Sequence, residues 1–237
     1  MKRVVFIFLL LAPLVLSAQS HLSQTLYWAR YYLRWHLHPR WTLHYELDNR
    51  QFLAPAQGQH QLISHLHLHR SFGARQQWEA WAGVSASVVS RQKPDEPPAP
   101  FRPELRPWQA LSLQQKAGHF RIGHRLRWEQ RFFNVFDERE NRFAFRARYA
   151  LTAQYPLHPH WNLKSGNEIM LQWGEGQARA FDQNRLWGGL EYSIPRSTLS
   201  LELLYIWLHQ LNAGGTTVYD RGVLRLTVLQ GVEGYKN

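Results

Sequence analysis

The chain has no cysteine. Disulfides, thiolate metal centres and lipid attachment through an N-terminal cysteine are therefore excluded. Long apolar runs are missing too. Beyond residue 16 no stretch approaches the roughly 18 apolar residues of a membrane-crossing helix, which rules out helical spans. Acidic residues are scarce, 17 Asp and Glu against 28 Lys and Arg, for a net charge of +11. In a cytosolic chain that balance would point to nucleic acid. The N-terminus argues for export instead, so no nucleic-acid partner is expected. The basic side chains should meet anionic lipid headgroups, small acidic solutes or the chain's own carboxylates.

The chain opens Met1-Lys2-Arg3, continues through an apolar run over 4–16, and reaches Ser17-Ala18-Gln19-Ser20. A charged start, a short apolar middle and small residues at the exit predict a secretory signal peptide over 1–18. Residues 19–237 are then expected to form a single domain. That domain is rich in aromatics, with 11 Trp, 10 Tyr and 12 Phe in the whole chain, yet hydrophilic on average. A barrel with a wet interior and an apolar exterior combines those two properties.

Two-residue alternation recurs along the chain. Tyr27, Ala29, Tyr31, Leu33, Trp35 and Leu37 fall on one side of a strand, with Arg30, Arg34 and His36 on the other. Similar patterns run through Trp78 to Val88, Phe120 to Phe132, Phe143 to Tyr155 and Trp161 to Trp173. The sum is about 11 segments of about 11 residues, each spanning about 26 Å of membrane at a 45° tilt. Short connections, as at His38-Pro39-Arg40 and Ala117-Gly118-His119, alternate with longer ones over 93–107, 134–141 and 174–183. These features predict an all-β protein, a closed antiparallel transmembrane β-barrel. Single-chain bacterial barrels usually have an even strand number, so 10 or 12 strands are expected. The odd count would then come from a false strand near Trp108 or a separate one hidden in 20–26.

Energetics assigns the faces. Arg121, Arg125, Arg127, Arg131, Arg142, Arg146 and Arg148 share the polar faces of two neighbouring segments. A lipid-facing arginine costs roughly 2–4 kcal/mol near the midplane, so they must point into the lumen or sit at a rim. Glu129 and Glu168 on the same faces can pair with them. The expected lumen network is Arg125, Arg127, Glu129, Arg131, Arg142, Arg146, Arg148, Glu168 and Arg185. Asp182, Gln183, Asn184 and Asn167 are expected to extend it. The competing arrangement is a soluble barrel with its aromatic faces packed inward. Against it, Trp35, Trp41, Tyr155, Trp161, Trp173 and Trp207 lie beside turns, where an interfacial girdle would place them.

Two stretches carry more than composition. His124-Arg125-Leu126-Arg127-Trp128-Glu129-Gln130-Arg131-Phe132 leads into Arg142-Phe143-Ala144-Phe145-Arg146-Ala147-Arg148-Tyr149. Gly166-Asn167-Glu168 precedes Phe181-Asp182-Gln183-Asn184-Arg185-Leu186-Trp187-Gly188-Gly189-Leu190. Together with the opening strand pair ending at Arg50, and on to Leu226, the chain resembles the domain of unknown function 2490 family, bacterial predicted outer-membrane barrels. The resemblance implies a barrel in the outer membrane and brings no catalytic residues.

Two constellations could carry chemistry. His21-Leu22-Ser23 puts a histidine and a serine on one strand face, as a serine hydrolase acting on lipid would need. Chance and a structural role account for it more simply. His65, His67 and His69 share a strand face and could hold a metal through imidazole, with His36, His44 and His60 on neighbouring polar positions. Successive same-face residues are about 6.6 Å apart, so three on one straight strand converge poorly, and hydrogen-bonded lumen histidines are the plainer expectation. No cofactor is expected. The favoured function is a non-enzymatic barrel with a structural, binding or narrow transport role. An anion-selective pore and a lipid-modifying enzyme are the alternatives. Expected partners are outer-membrane lipid, the barrel-insertion machinery and a small anionic solute.

Overall fold

A computed structural model of the protein describes residues 20–55, 57–89, 102–134 and 141–234. The expected signal peptide, most of the proline-rich segment and the 135–140 connection lie outside the described residues. Eleven strands form among those described: β1 (Ser20–His38), β2 (Trp41–Ala54), β3 (Gly58–Phe72), β4 (Trp78–Val89), β5 (Arg102–Ala117), β6 (Phe120–Phe133), β7 (Arg142–His158), β8 (Trp161–Gly174), β9 (Phe181–Ser193), β10 (Leu199–Leu211) and β11 (Thr217–Glu233). Each pairs with its sequence neighbour in antiparallel register, and β1 pairs with β11 to close the barrel.

That closure corrects two expectations. Among the described residues the count is eleven where 10 or 12 were expected, and the seam is parallel, Ala29 facing Leu226 and Tyr31 facing Val228. With an odd number of up-and-down strands the first and last run in the same direction, so a closed barrel must join them in parallel. Neither suspected miscount is present. The segment near Trp108 is a true strand, and residues 20–26 are the start of β1. β5 also starts earlier than its prolines suggested, at Arg102. Pro103 and Pro107 lack an N–H, and pairing toward β6 lapses at Arg106 and Pro107 while pairing toward β4 continues. The strands run 12 to 19 residues, longer than the 11 read from alternation.

The tight turns come from local chemistry. Between β5 and β6 the link is two residues, and Gly118 takes φ +62°, the left-handed conformation a primed hairpin turn requires. The links between β1 and β2, and between β7 and β8, are equally short, each built on proline. They gather at one rim, and the link between β8 and β9 lies at the other.

The two faces follow the alternation. Leu201, Leu203, Tyr205 and Trp207 of β10 are exposed, whereas Glu202, Leu204, Ile206 and Leu208 between them are buried. Trp35, Trp41, Trp161, Trp173 and Trp207 are all exposed on the exterior near strand ends. Arg127, Glu129, Arg146 and Glu168 are buried inside. The inward-aromatic arrangement of a soluble barrel is therefore not the one formed. Part of the interior is apolar: Leu26, Trp28, Phe52, Leu204, Ile206, Leu208 and Val223 pack where β10, β11, β1 and β2 meet.

Candidate functional site: an arginine-lined lumen

Inward positions of β5 to β9 carry the charges, and the antiparallel register sets them at bonding distance. Arg146 and Arg148 of β7 reach Glu129 of β6, Arg146 Nε at 2.7 Å and Arg148 Nη1 at 2.8 Å. Arg127 Nε lies 2.8 Å from the same carboxylate. Arg148 also donates to Glu168 at 2.7 Å, Arg125 at 2.8 Å, and Arg185 stands 3.8 Å from it. Arg131 and Arg106 share Glu104, at 2.6 and 2.8 Å. Across the barrel, Asp48 binds Arg30 at 2.8 Å and Arg50 at 2.7 Å, and Glu202 binds Lys164 and Arg225 at 2.5 and 3.0 Å.

Of the residues expected in this network, Arg125, Arg127, Glu129, Arg131, Arg146, Arg148, Glu168 and Arg185 are brought together. Arg142 is not; it is exposed at the start of β7, at the rim. Asp182 joins through Arg146 at 3.3 Å, and Gln183 accepts from Arg185 at 2.9 Å. Asn167 and Asn184 bond each other at 2.8 Å, at positions alternating with the lumen residues Glu168 and Arg185.

The network surrounds a cavity of about 950 Å³ whose lining includes twelve arginines and Lys164 but three carboxylates, Glu46, Glu168 and Glu202. Asp48, Glu104 and Glu129 are buried and absent from that lining. The open space therefore faces a surplus of cations. Several N–H groups there are unspent: Arg127 Nη2 and the Nε atoms of Arg125, Arg185 and Arg225 are buried without a hydrogen-bond partner among the described residues. The Arg127 guanidinium lies over the Trp108 ring at 3.6 Å and Arg50 over Trp28 at 4.1 Å, which fixes both planes. Preset guanidinium groups with spare donors suit a carboxylate or phosphate.

The histidines divide. His67 and His69 meet at 2.7 Å (Nδ1 to Nε2), and their third neighbour is His44 of β2, stacked on His69 with centroids 3.7 Å apart. His65 points into the barrel but pairs with Ser85, whose Oγ accepts the Trp108 Nε1–H at 3.0 Å. Register explains the exchange: His67 lies opposite His44, whereas His65 lies opposite Glu46.

At the other rim His21 Nδ1 is 3.4 Å from Asp220 Oδ2, and His209 holds Asp220 at 2.7 Å. Ser23 is exposed and stands beside Asp220 in register. Among the described residues it makes no hydrogen bond to His21.

The sequence pattern of the family described as "Protein of unknown function (DUF2490)" matches residues 25–219, from β1 into β11. The chain belongs to that family. A search of curated proteins gives no match. Among solved structures, one similar chain is "Outer-membrane expressed OmpT of Vibrio cholerae", with TM-score 0.41 and 12% identity over 74% of this chain. The match spans 57% of that OmpT chain. Another, described as a NanC porin structure, gives TM-score 0.49 and 10% identity over 79% of this chain and 81% of its own.

Sequence reasoning missed part of the lumen of this DUF2490 barrel. Glu104 and Arg106 were hidden because Pro103 and Pro107 disguised the start of β5 as loop. Lys164 and Arg225 carried the signal, alternation with apolar neighbours, but single charges on separate strands do not announce a cluster.

Proposed function

We propose that the chain is an outer-membrane barrel whose lumen binds small anionic solutes and passes them through a narrow path. The observation that carries this reading is the cavity lining, rich in arginines with unspent N–H groups and poor in carboxylates. Fixed positive groups in a confined, low-dielectric space concentrate anions and repel cations. The membrane assignment is supported by the exposed apolar exterior with tryptophans near strand ends, the export signal expected over 1–18, and the cost of turning arginines to lipid. Outer-membrane lipid then contacts the exterior, and the barrel-insertion machinery is the partner during assembly. The lipid-modifying alternative is less well supported, since Ser23 lacks the bond to His21 that would activate it.

Planar-bilayer recording of the refolded chain under a KCl gradient tests the proposal. The expected result is a small conductance whose reversal potential lies on the anion side, with the preference reduced in an Arg125→Gln, Arg127→Gln double variant. A cation-preferring current, or no current at all, ends the transport reading. Membrane fractionation with heat-modifiable gel migration tests the location.

A further inference from the structure

We infer that His44, His67 and His69 form a binding site for a transition-metal cation of the Zn(II) or Cu(II) class, set in the barrel wall apart from the anion cavity. All three are buried, and one ring nitrogen from each lies within 4.8 Å of the others. None of the three lines the lumen cavity.

The case rests on the cluster's geometry and on where the ring protons can sit. Glu46 takes Arg30 Nη1 at 3.3 Å and is a carboxylate, an acceptor only, so His67 Nε2, 2.9 Å away, carries the hydrogen and donates to it. His67 Nδ1 is then a lone pair. His69 Nδ1 faces Glu79 at 3.8 Å, beyond hydrogen-bond reach, and Glu79 accepts the Trp81 indole N–H at 3.0 Å. With its own hydrogen on Nε2, His69 donates to the His67 lone pair at 2.7 Å; with the hydrogen on Nδ1, it offers Nε2 as a second lone pair. A metal ion replaces the hydrogen shared by the two nitrogens once the His69 hydrogen moves to Nδ1, on the Glu79 side. His44 completes the set: its Nδ1 is 2.6 Å from the Tyr32 hydroxyl, so the tautomer donating to that oxygen presents Nε2 inward.

His44 and His67 thus have their outer nitrogens bonded to an oxygen of another residue, and His69 faces one at 3.8 Å, the kind of arrangement that orients metal-ligating imidazoles. Neutral imidazoles without thiolates favour Zn, Cu or Ni over Mg or Ca. The Trp81 ring stacks on His69 at 4.0 Å and Trp108 lies against His67 at 5.0 Å, closing the site from bulk water. Binding would open the nitrogen pair from 2.7 Å to about 3.3 Å, the span of two ligands each about 2.0–2.1 Å from a tetrahedral zinc, and would turn His44 out of its stack on His69, because an imidazole ligates in its ring plane.

Because the site is closed, the test loads the metal during folding. The full chain is refolded in detergent with Zn(II), desalted, rinsed with a weak chelator and assayed for zinc. About one zinc per folded barrel is expected for the unaltered chain and for His65→Gln, and at least a tenfold loss for His67→Gln. His44→Gln reaches the cluster from a different strand and should give the same loss, so it stands in should His67→Gln not fold. Folding of each variant is read from heat-modifiable migration. Refolding with Cu(II) instead should give an electron paramagnetic resonance spectrum with nitrogen couplings that both variants change. No zinc in the unaltered chain would mean that the His67–His69 contact is a plain hydrogen bond, and the inference fails. It fails equally if His44→Gln and His67→Gln retain their zinc, or if His65→Gln loses as much as they do.

Discussion

Glu129 has no exposed surface, and Arg127, Arg146 and Arg148 all lean on its two oxygens. Removing the negative charge would leave three guanidinium groups facing one another in a poorly solvated wall. Breaking a buried pair by deleting one partner costs about 3–5 kcal/mol, so Glu129→Gln should destabilise the barrel by that amount in urea unfolding from detergent micelles. Glu191 provides the comparison. It shares Lys164 with Glu202 and is more open to solvent, and its loss should cost about 1 kcal/mol or less. If both variants unfold at the same urea concentration, the Glu129 cluster is not the internal strut described here. Alternation alone put Glu129 and its arginines on one face. It could not say that Arg142, at the end of the same pattern, runs out of barrel and lies at the rim. Nor could it exchange His65 for His44, because a metal-like cluster across two strands depends on register, which is decided by the hairpin between them.

At the scale of an element, two adjacent glycines of β9 have opposite surroundings. A Cβ on Gly189 would sit 2.1 Å from the carbonyl oxygen of Leu203 and 2.8 Å from the Cα of Leu204, both backbone atoms of β10 that cannot step aside. A Cβ on Gly188 would find its nearest neighbour at 3.9 Å. Gly189→Ala should therefore force β9 away from β10 and cost at least the 1–3 kcal/mol typical of overpacking. Gly188→Ala should be neutral or stabilising by a few tenths of a kcal/mol, through lost freedom of the unfolded chain. Equal urea midpoints for the two variants would contradict this close approach. Strand existence was legible nearly everywhere from period-two alternation, and the short turns were legible from their proline and glycine. Strand ends were not. β9 and β11 extend beyond their alternating cores, at Phe181 and Thr217, where polar residues near a rim blur the contrast.

For the whole molecule, the closing seam decides the architecture. An even barrel would close on an antiparallel pair. Eleven up-and-down strands need β1 and β11 to run side by side in the same direction, and their register places Ala29 opposite Leu226 on the exterior. The absence of cysteine in the native sequence makes this directly testable, since any crosslink must come from introduced thiols. Partnered Cα atoms of adjacent strands stand about 5 Å apart, within the range a disulfide spans. Ala29→Cys with Leu226→Cys should form an intramolecular disulfide on mild oxidation of the folded barrel, seen as a reducible shift in gel migration. Leu203 lies opposite Leu226 on the next strand, about two strand spacings from Ala29, beyond disulfide reach. Ala29→Cys with Leu203→Cys should therefore stay reduced under the same conditions. If neither pair closes, a further segment separates β1 from β11 and the barrel has more than eleven strands. If the second pair closes as readily as the first, the seam lacks the fixed register that eleven-strand closure requires.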